Sequence, residues 1–142
     1  NMHDDNDNSV ARMRGGEIPA LPGNGTDHGL AIIDVMQQSD GDTLVLPKQP
    51  AATLFELDDE AACQLIVTVK QVAGGVRHAF SPDGIRLMQL NGAAAGQSVF
   101  HLHMHIVPCY EGVTPRAHAQ QMADTALLES HAARIRDALA VR

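Results

Sequence analysis

The sequence predicts an α+β domain with a mainly antiparallel sheet and helices on one of its faces. Three observations carry this. Short apolar runs of strand length, Leu30 to Val35 and Thr43 to Leu46, precede a long amphipathic stretch. That stretch repeats apolar residues at three- and four-residue spacing, which is helical. Finally, apolar residues alternate with histidines at a period of two between Gly96 and Pro108, directly after another apolar run. Two strands so close in sequence pair antiparallel. A chain of 142 residues fits one domain and can bury a core.

Residues 1–9 are polar and aperiodic and read as a disordered tail, leaving 10–142 as the domain. Glu17-Ile18-Pro19-Ala20 begins ordered structure, and Pro22, Gly23 and Gly25 mark a turn. Leu30 to Val35 is the first buried strand. Gln37 to Gly41 is a polar loop, and Thr43 to Leu46 is a second strand closed by Pro47. Asp58 caps a helix whose stripe is Ala62, Leu65, Ile66, Val69, Val72, Ala73, Val76 and Phe80. Gly74-Gly75 lies inside that stripe and costs about 1 kcal/mol per glycine relative to alanine. The periodicity continues past the pair, so one helix is expected, fraying at its end.

Ser81-Pro82-Asp83-Gly84 is a turn. Ile85 to Leu90 is a strand leading into the small-residue loop Asn91 to Gly96, and the histidine strand follows until Pro108. A last helix, about 124–140, carries Leu128, Ala132, Ile135 and Leu139 as its stripe.

Composition excludes several classes. A net charge of −7 argues against a general nucleic-acid surface, which needs excess Lys and Arg. No apolar run approaches the roughly 20 residues of a membrane span. The polar, acidic opening Asn1-Met2-His3-Asp4-Asp5 does not read as a secretory leader. Cys63 and Cys109 form no Cys-x-x-Cys pair and read as free thiols in a reducing compartment, so a cytoplasmic location is expected.

In the histidine strand, Phe100, Leu102, Met104 and Ile106 should face the core, and His101, His103 and His105 the other side. A metal reading is the weaker one. His101 and His105 stand about 13 Å apart along a strand, and no cysteine cluster or nearby carboxylate pair completes a shell. A solvated edge face is the plain alternative. Against it stands the lead-in of Gly, Ala, Gln and Ser. Small residues let backbone N–H groups approach an anion, and Ser98 and Gln97 add polar groups. Phosphate on one side and imidazoles able to attack or carry protons on the other is the chemistry this pattern suits.

At these residues the chain resembles the histidine-triad (HIT) family of nucleotide hydrolases and transferases, in particular its nucleoside phosphoramidase-like (Hint-type) branch. His101-Leu102-His103-Met104-His105-Ile106-Val107 matches the family's signature. The likeness extends through Asn91-Gly92, Gly96-Gln97-Ser98-Val99, Gly16 to Ala20, Leu30 to Asp34, Gly41 to Lys48 and Thr53 to Leu57. The resemblance implies a central antiparallel sheet of about five strands with one central helix and a C-terminal helix, joined across a homodimer. It implies a purine nucleotide such as AMP or GMP as ligand, with neither membrane nor nucleic acid as partner and no cofactor.

It further implies that His103 is the nucleophile toward the α-phosphorus. His101 and His105 would hold the phosphate and orient His103. Ser98 and Gln97 would contact the phosphate and leaving group, and Asn91 and the Gly96 loop the phosphate. Asp34 would grip the ribose hydroxyls, and Ile18, Ile32 and Val35 would line the base slot. Product release would be hydrolysis of a nucleotidyl-histidine, most simply from a purine phosphoramidate. Dinucleoside polyphosphate hydrolysis, and nucleotide binding with little turnover, are the alternatives.

The chain departs from the family pattern around the triad. Asp42 stands where a fourth histidine is usual, Pro50 where another is, and Met36-Gln37 where Asn-Pro is. The N-terminal Cys-x-x-Cys of many bacterial relatives reads Asn8-Ser9-Val10-Ala11, so no structural zinc is expected. Asp42 could still orient a triad imidazole, as carboxylates orient histidines elsewhere.

Overall fold

The computed structural model describes residues 29–34, 36–114 and 125–140. The expected tail at 1–9, the ordered start at 17–20, the turn at 22–25, the zinc-ligand stretch 8–11, and the site candidates Ile18 and Val35 lie outside them.

Four strands form one antiparallel sheet in the order β1-β2-β4-β3: β1 (Gly29–Ile33), β2 (Thr43–Pro47), β3 (Gly84–Met88) and β4 (Met104–Cys109). Among the described residues the count is therefore four where about five were expected. Helix α1 (Asp59–Phe80) connects β2 to β3, and α2 (Thr125–Ala140) closes the chain.

Helix α1 starts where its cap predicts. The Asp58 carboxylate accepts the Ala61 N–H at 2.8 Å, and Asp59 and Glu60 favour the positive end of the helix dipole. It runs unbroken through Gly74-Gly75 to a left-handed Ser81 cap whose N–H returns to the Arg77 carbonyl, so the expected fraying does not occur. A Cβ on Gly75 would lie 2.8 Å from Leu139 Cδ2 and 2.9 Å from its Cγ. The glycine costs helix propensity and in return lets α2 approach.

Both helices cover one face of the sheet. Leu65, Val69, Val72 and Val76 of α1 and Leu128, Ala132, Ile135 and Leu139 of α2 bury against Ala31, Ile33, Val45 and Ile106. Ile66, expected in the stripe, is 50% exposed. Leu65, Val69, Val72 and Val76 define the buried face by their spacing, and Ile66 sits one step of about 100° round from Leu65. On the opposite face, Ile32, Leu44 and Leu46 form a second buried cluster with Leu30 and Val99 beside it.

The histidine stretch is the main correction. Its alternation suggested a strand from Gly96, but strand pairing begins only at Met104 and continues past Pro108 to Cys109. Upstream, the Leu102 N–H leaves the sheet to reach the Ala51 carbonyl at 2.8 Å. Leu102 is fully buried in the helix-side core, whereas Phe100 is 39% exposed rather than core. The backbone turns at Gly96 and bends from Val99 to His101, so the alternation in the sequence runs on through residues that are not strand.

Candidate functional site

Two connections build the site on the sheet. The first joins β1 to β2. The Asp34 N–H donates to the Asp42 carbonyl at 3.1 Å, closing the turn. Gln37 locks it from within: its Nε2 donates to the Asp34 carbonyl at 2.7 Å and the Asp42 carbonyl at 2.9 Å, and its Oε1 accepts the Gly41 N–H at 3.1 Å. A side-chain amide thus rigidifies the turn at a position where the resemblance expects proline. Asp42 Oδ2 accepts the Gln38 N–H at 3.0 Å, and Asp34 Oδ1 the Met36 N–H at 2.9 Å. Gly41, at φ +92°, packs its bare Cα against the Phe80 ring.

This turn delivers two carboxylates to the triad. Asp34, Asp42 and His105 are all buried, and one ligand atom from each lies within 4.8 Å of the others. His105 Nδ1 stands 3.9 Å from Asp34 Oδ2. Two buried carboxylates this close repel one another, so the pair calls for a proton or a cation between them. The sequence-level statement that no carboxylate pair lies near the histidines is therefore overturned. The three side chains could also hold a divalent cation, provided they closed to roughly 3.4 Å of one another, as ligand bonds of about 2.1 Å require.

The second connection is the loop from Asn91 to Phe100. Gly92 and Gly96 adopt φ of +97° and +102°, which only glycine takes without strain, on either side of a single 3-10 turn at Ala93–Ala95. Gln97 is buried at the centre. Its Oε1 accepts the Gly92 N–H at 2.7 Å, and its Nε2 donates to the carbonyls of Ala52 at 2.7 Å and Val99 at 3.1 Å. The Gln97 amide thus ties the loop to itself and to the segment before α1. Ser98 is exposed. Asn91 Oδ1 accepts the Leu54 N–H at 2.8 Å, a second tie to that same segment.

The triad follows. His101 is buried and His103 half-buried. His103 Nδ1 lies 2.7 Å from the His101 carbonyl oxygen. A carbonyl only accepts, so Nδ1 carries the proton and the lone pair of the neutral ring sits on Nε2. The rings of His103 and His105 meet edge to face with centroids 4.9 Å apart. The arrangement offers a nucleophilic nitrogen of fixed tautomer, a second imidazole in contact with it, and a glycine-bounded loop before both.

Of the sequence-predicted residues, Asp34, Asp42, Ile32 and His105 come from adjoining strands and their connecting turn. Asn91, Gly96, Gln97, Ser98, His101 and His103 come from the loop and the bent segment leading into β4. Ile32 is fully buried against Leu44 and Leu46, so its side chain packs within the sheet-face cluster. Sequence reasoning missed Gln37 and Gln89, whose side-chain amides hydrogen-bond to backbone and to Asn91. The sole signal was their position: Gln37 falls in the polar connection after β1, and Gln89 directly follows β3.

A family model described as the HIT domain matches residues 16–112. The protein hit of Bacillus subtilis is 42% identical over 95 residues, which cover 67% of this chain and 66% of that protein. An adenosine 5′-monophosphoramidase of Schizosaccharomyces pombe is 38% identical over 93 residues, 66% of this chain and 67% of that one. The matched segments thus span about two thirds of those curated relatives. Among solved structures, a Hit-like protein involved in cell-cycle regulation from Bartonella henselae, with an unknown ligand, superposes at a TM-score of 0.80 with 38% identity, covering 92% of this chain and 94% of that one.

Proposed function

This chain belongs to the HIT domain family, and from that premise we propose that it hydrolyses or transfers purine nucleoside 5′-phosphate derivatives, of which a phosphoramidate is the simplest. The observation that carries the reading is the 2.7 Å contact between His103 Nδ1 and the His101 carbonyl. It leaves Nε2 as the nucleophile toward the α-phosphorus. The steps balance as two displacements. His103 Nε2 bonds to phosphorus as the bond to the leaving group breaks, and the leaving group departs with a proton taken from the His105 imidazolium. Water then attacks phosphorus and gives a proton back to His105, the N–P bond breaks, and the nucleoside monophosphate departs.

His105 stands beside the nucleophile, and the carboxylates of Asp34 and Asp42 favour its protonated form. It thereby offsets the charge gathering on the phosphoryl group. Ser98 contacts the phosphate, while Gln97 keeps the Gly92–Gly96 loop in shape. The Asp34 carboxylate would meet the ribose from its buried position after β1. The match to a phosphoramidase over 66% of this chain supports the substrate class.

A second copy covers the edge of β3, where Leu87 is exposed, and the outer side of α1, where Ile66 and Val67 are exposed; light scattering on the purified protein reads this. Two free thiols fit a reducing compartment such as the cytoplasm.

The test is AMP release from adenosine 5′-phosphoramidate, paired with mass spectrometry for an adenylyl adduct. Wild type should release AMP and carry the adduct on His103. His103→Ala should do neither, and full activity in that variant overturns the mechanism. A second reading, nucleotide binding with little turnover, is favoured by Asp42, buried where the family pattern carries a fourth histidine. AMP binding with no turnover across phosphoramidate and dinucleotide substrates would select it.

A further inference from the structure

We propose that Gln89 is a positioning residue for the phosphate-binding amide of Asn91. The inference rests on the nucleotide reading above. Gln89 and Asn91 are two residues apart, at the exit of β3 and immediately before Gly92. Their side chains pair head to tail: Gln89 Nε2 donates to Asn91 Oδ1 at 2.8 Å, and Asn91 Nδ2 donates to Gln89 Oε1 at 2.8 Å. Gln89 is itself anchored, since its Nε2 also donates to the Leu90 carbonyl at 3.1 Å.

An asparagine amide turns easily about its last torsion, which is broad and roughly two-fold. Two separate constraints remove that freedom here. The Leu54 N–H, 2.8 Å from Asn91 Oδ1, settles which end of the amide is oxygen. The doubly bonded pair with Gln89 settles the plane. Both lone pairs of Asn91 Oδ1 are then occupied, and one N–H of Nδ2 is spent on Gln89. What Asn91 has left to offer is a single N–H of fixed direction at the entrance to the Gly92–Ser98 loop. A donor is the correct group for a phosphate oxygen, and a carbonyl turned that way would repel it. Gln89 thus acts through Asn91 and touches no ligand.

The experiment compares AMP with adenosine by calorimetry on the full chain. Gln89→Met keeps the length of the side chain and removes the amide. AMP affinity should fall roughly five- to tenfold, the effect of one misplaced neutral hydrogen bond, while adenosine affinity stays at the wild-type value. A merely structural role would weaken both ligands together, and that result overturns the proposal. Equal AMP affinity in variant and wild type also overturns it, leaving the nucleotide reading intact. A wild type that fails to bind AMP removes both. Should Gln89→Met lower the melting temperature, the double variant with Asn91→Ala decides. Once Asn91 is gone, Gln89→Met should add no further loss of AMP affinity, and an undiminished additional loss refutes the inference.

Discussion

Replacing Gln97 tests whether its amide builds the loop or serves the substrate. Gln97→Leu keeps the volume and removes three hydrogen bonds, to Gly92, Ala52 and Val99. A neutral intramolecular bond contributes about 1 kcal/mol net, so the three together contribute about 3 kcal/mol. Ala52 is buried, and stranding its carbonyl raises the loss to about 4 kcal/mol. Against a typical domain stability of roughly 5–15 kcal/mol, that is a large fraction.

Urea unfolding should therefore show a strongly lowered midpoint with an unchanged slope. Gln97→Glu sharpens the test. The introduced carboxylate can still accept the Gly92 N–H, but it turns an anion toward two carbonyl oxygens. Folding then favours its protonated form, so its folded-state pKa rises. The variant's stability is best below the normal carboxylate range and is lost as pH rises. If Gln97→Leu instead unfolds within about 0.5 kcal/mol of wild type, below the cost of a single lost bond, while AMP release collapses, the scaffold role is refuted and the amide belongs to the substrate.

Gly75→Ala gains about 1 kcal/mol of helix propensity but drives a methyl into Leu139 Cγ, 2.9 Å away. Overpacking costs about 1–3 kcal/mol, so a net loss of about 1 kcal/mol should lower the melting temperature by a few degrees; a rise would mean the helices can separate freely. The Tyr110 phenol is held above its usual range, first by burial and then by the Asp40 carboxylate, with Arg134 opposing. The chain has a single tyrosine, so phenolate absorbance reads that group alone and should titrate above the value of the unfolded chain. Because the folded value is the raised one, the associated stability is whole below about pH 10 and disappears as pH climbs through the folded value.

Much of this was legible in the residues. Asp58 announced the start of α1, and the spacing of Leu65, Val69, Val72 and Val76 its buried face. The antiparallel pairing of β3 with β4 followed from their closeness in sequence. Alternation misled at Phe100, because the backbone bends from Val99 to His101 and a bend breaks the two-sided alternation that the residue pattern implies. The meeting of Asp34, Asp42 and His105 was hidden for a different reason. It depends on a turn whose closure is set by the Gln37 side chain, and no periodicity encodes such a bond. Gln89 was illegible likewise, since a side-chain amide pair leaves no mark on local pattern.

The partner of His103 Nδ1 is a carbonyl, not a carboxylate. A carboxylate could draw that proton toward itself as the N–P bond formed, leaving a neutral phosphoryl imidazole. A carbonyl has no such basicity, so on the mechanism proposed above it would favour a ring that keeps its proton while phosphorus is attached. A cationic imidazole is a good leaving group. The covalent state would therefore be built to break: short-lived, never a store of activated nucleotide, and to be caught by a rapid denaturing quench rather than by slow purification.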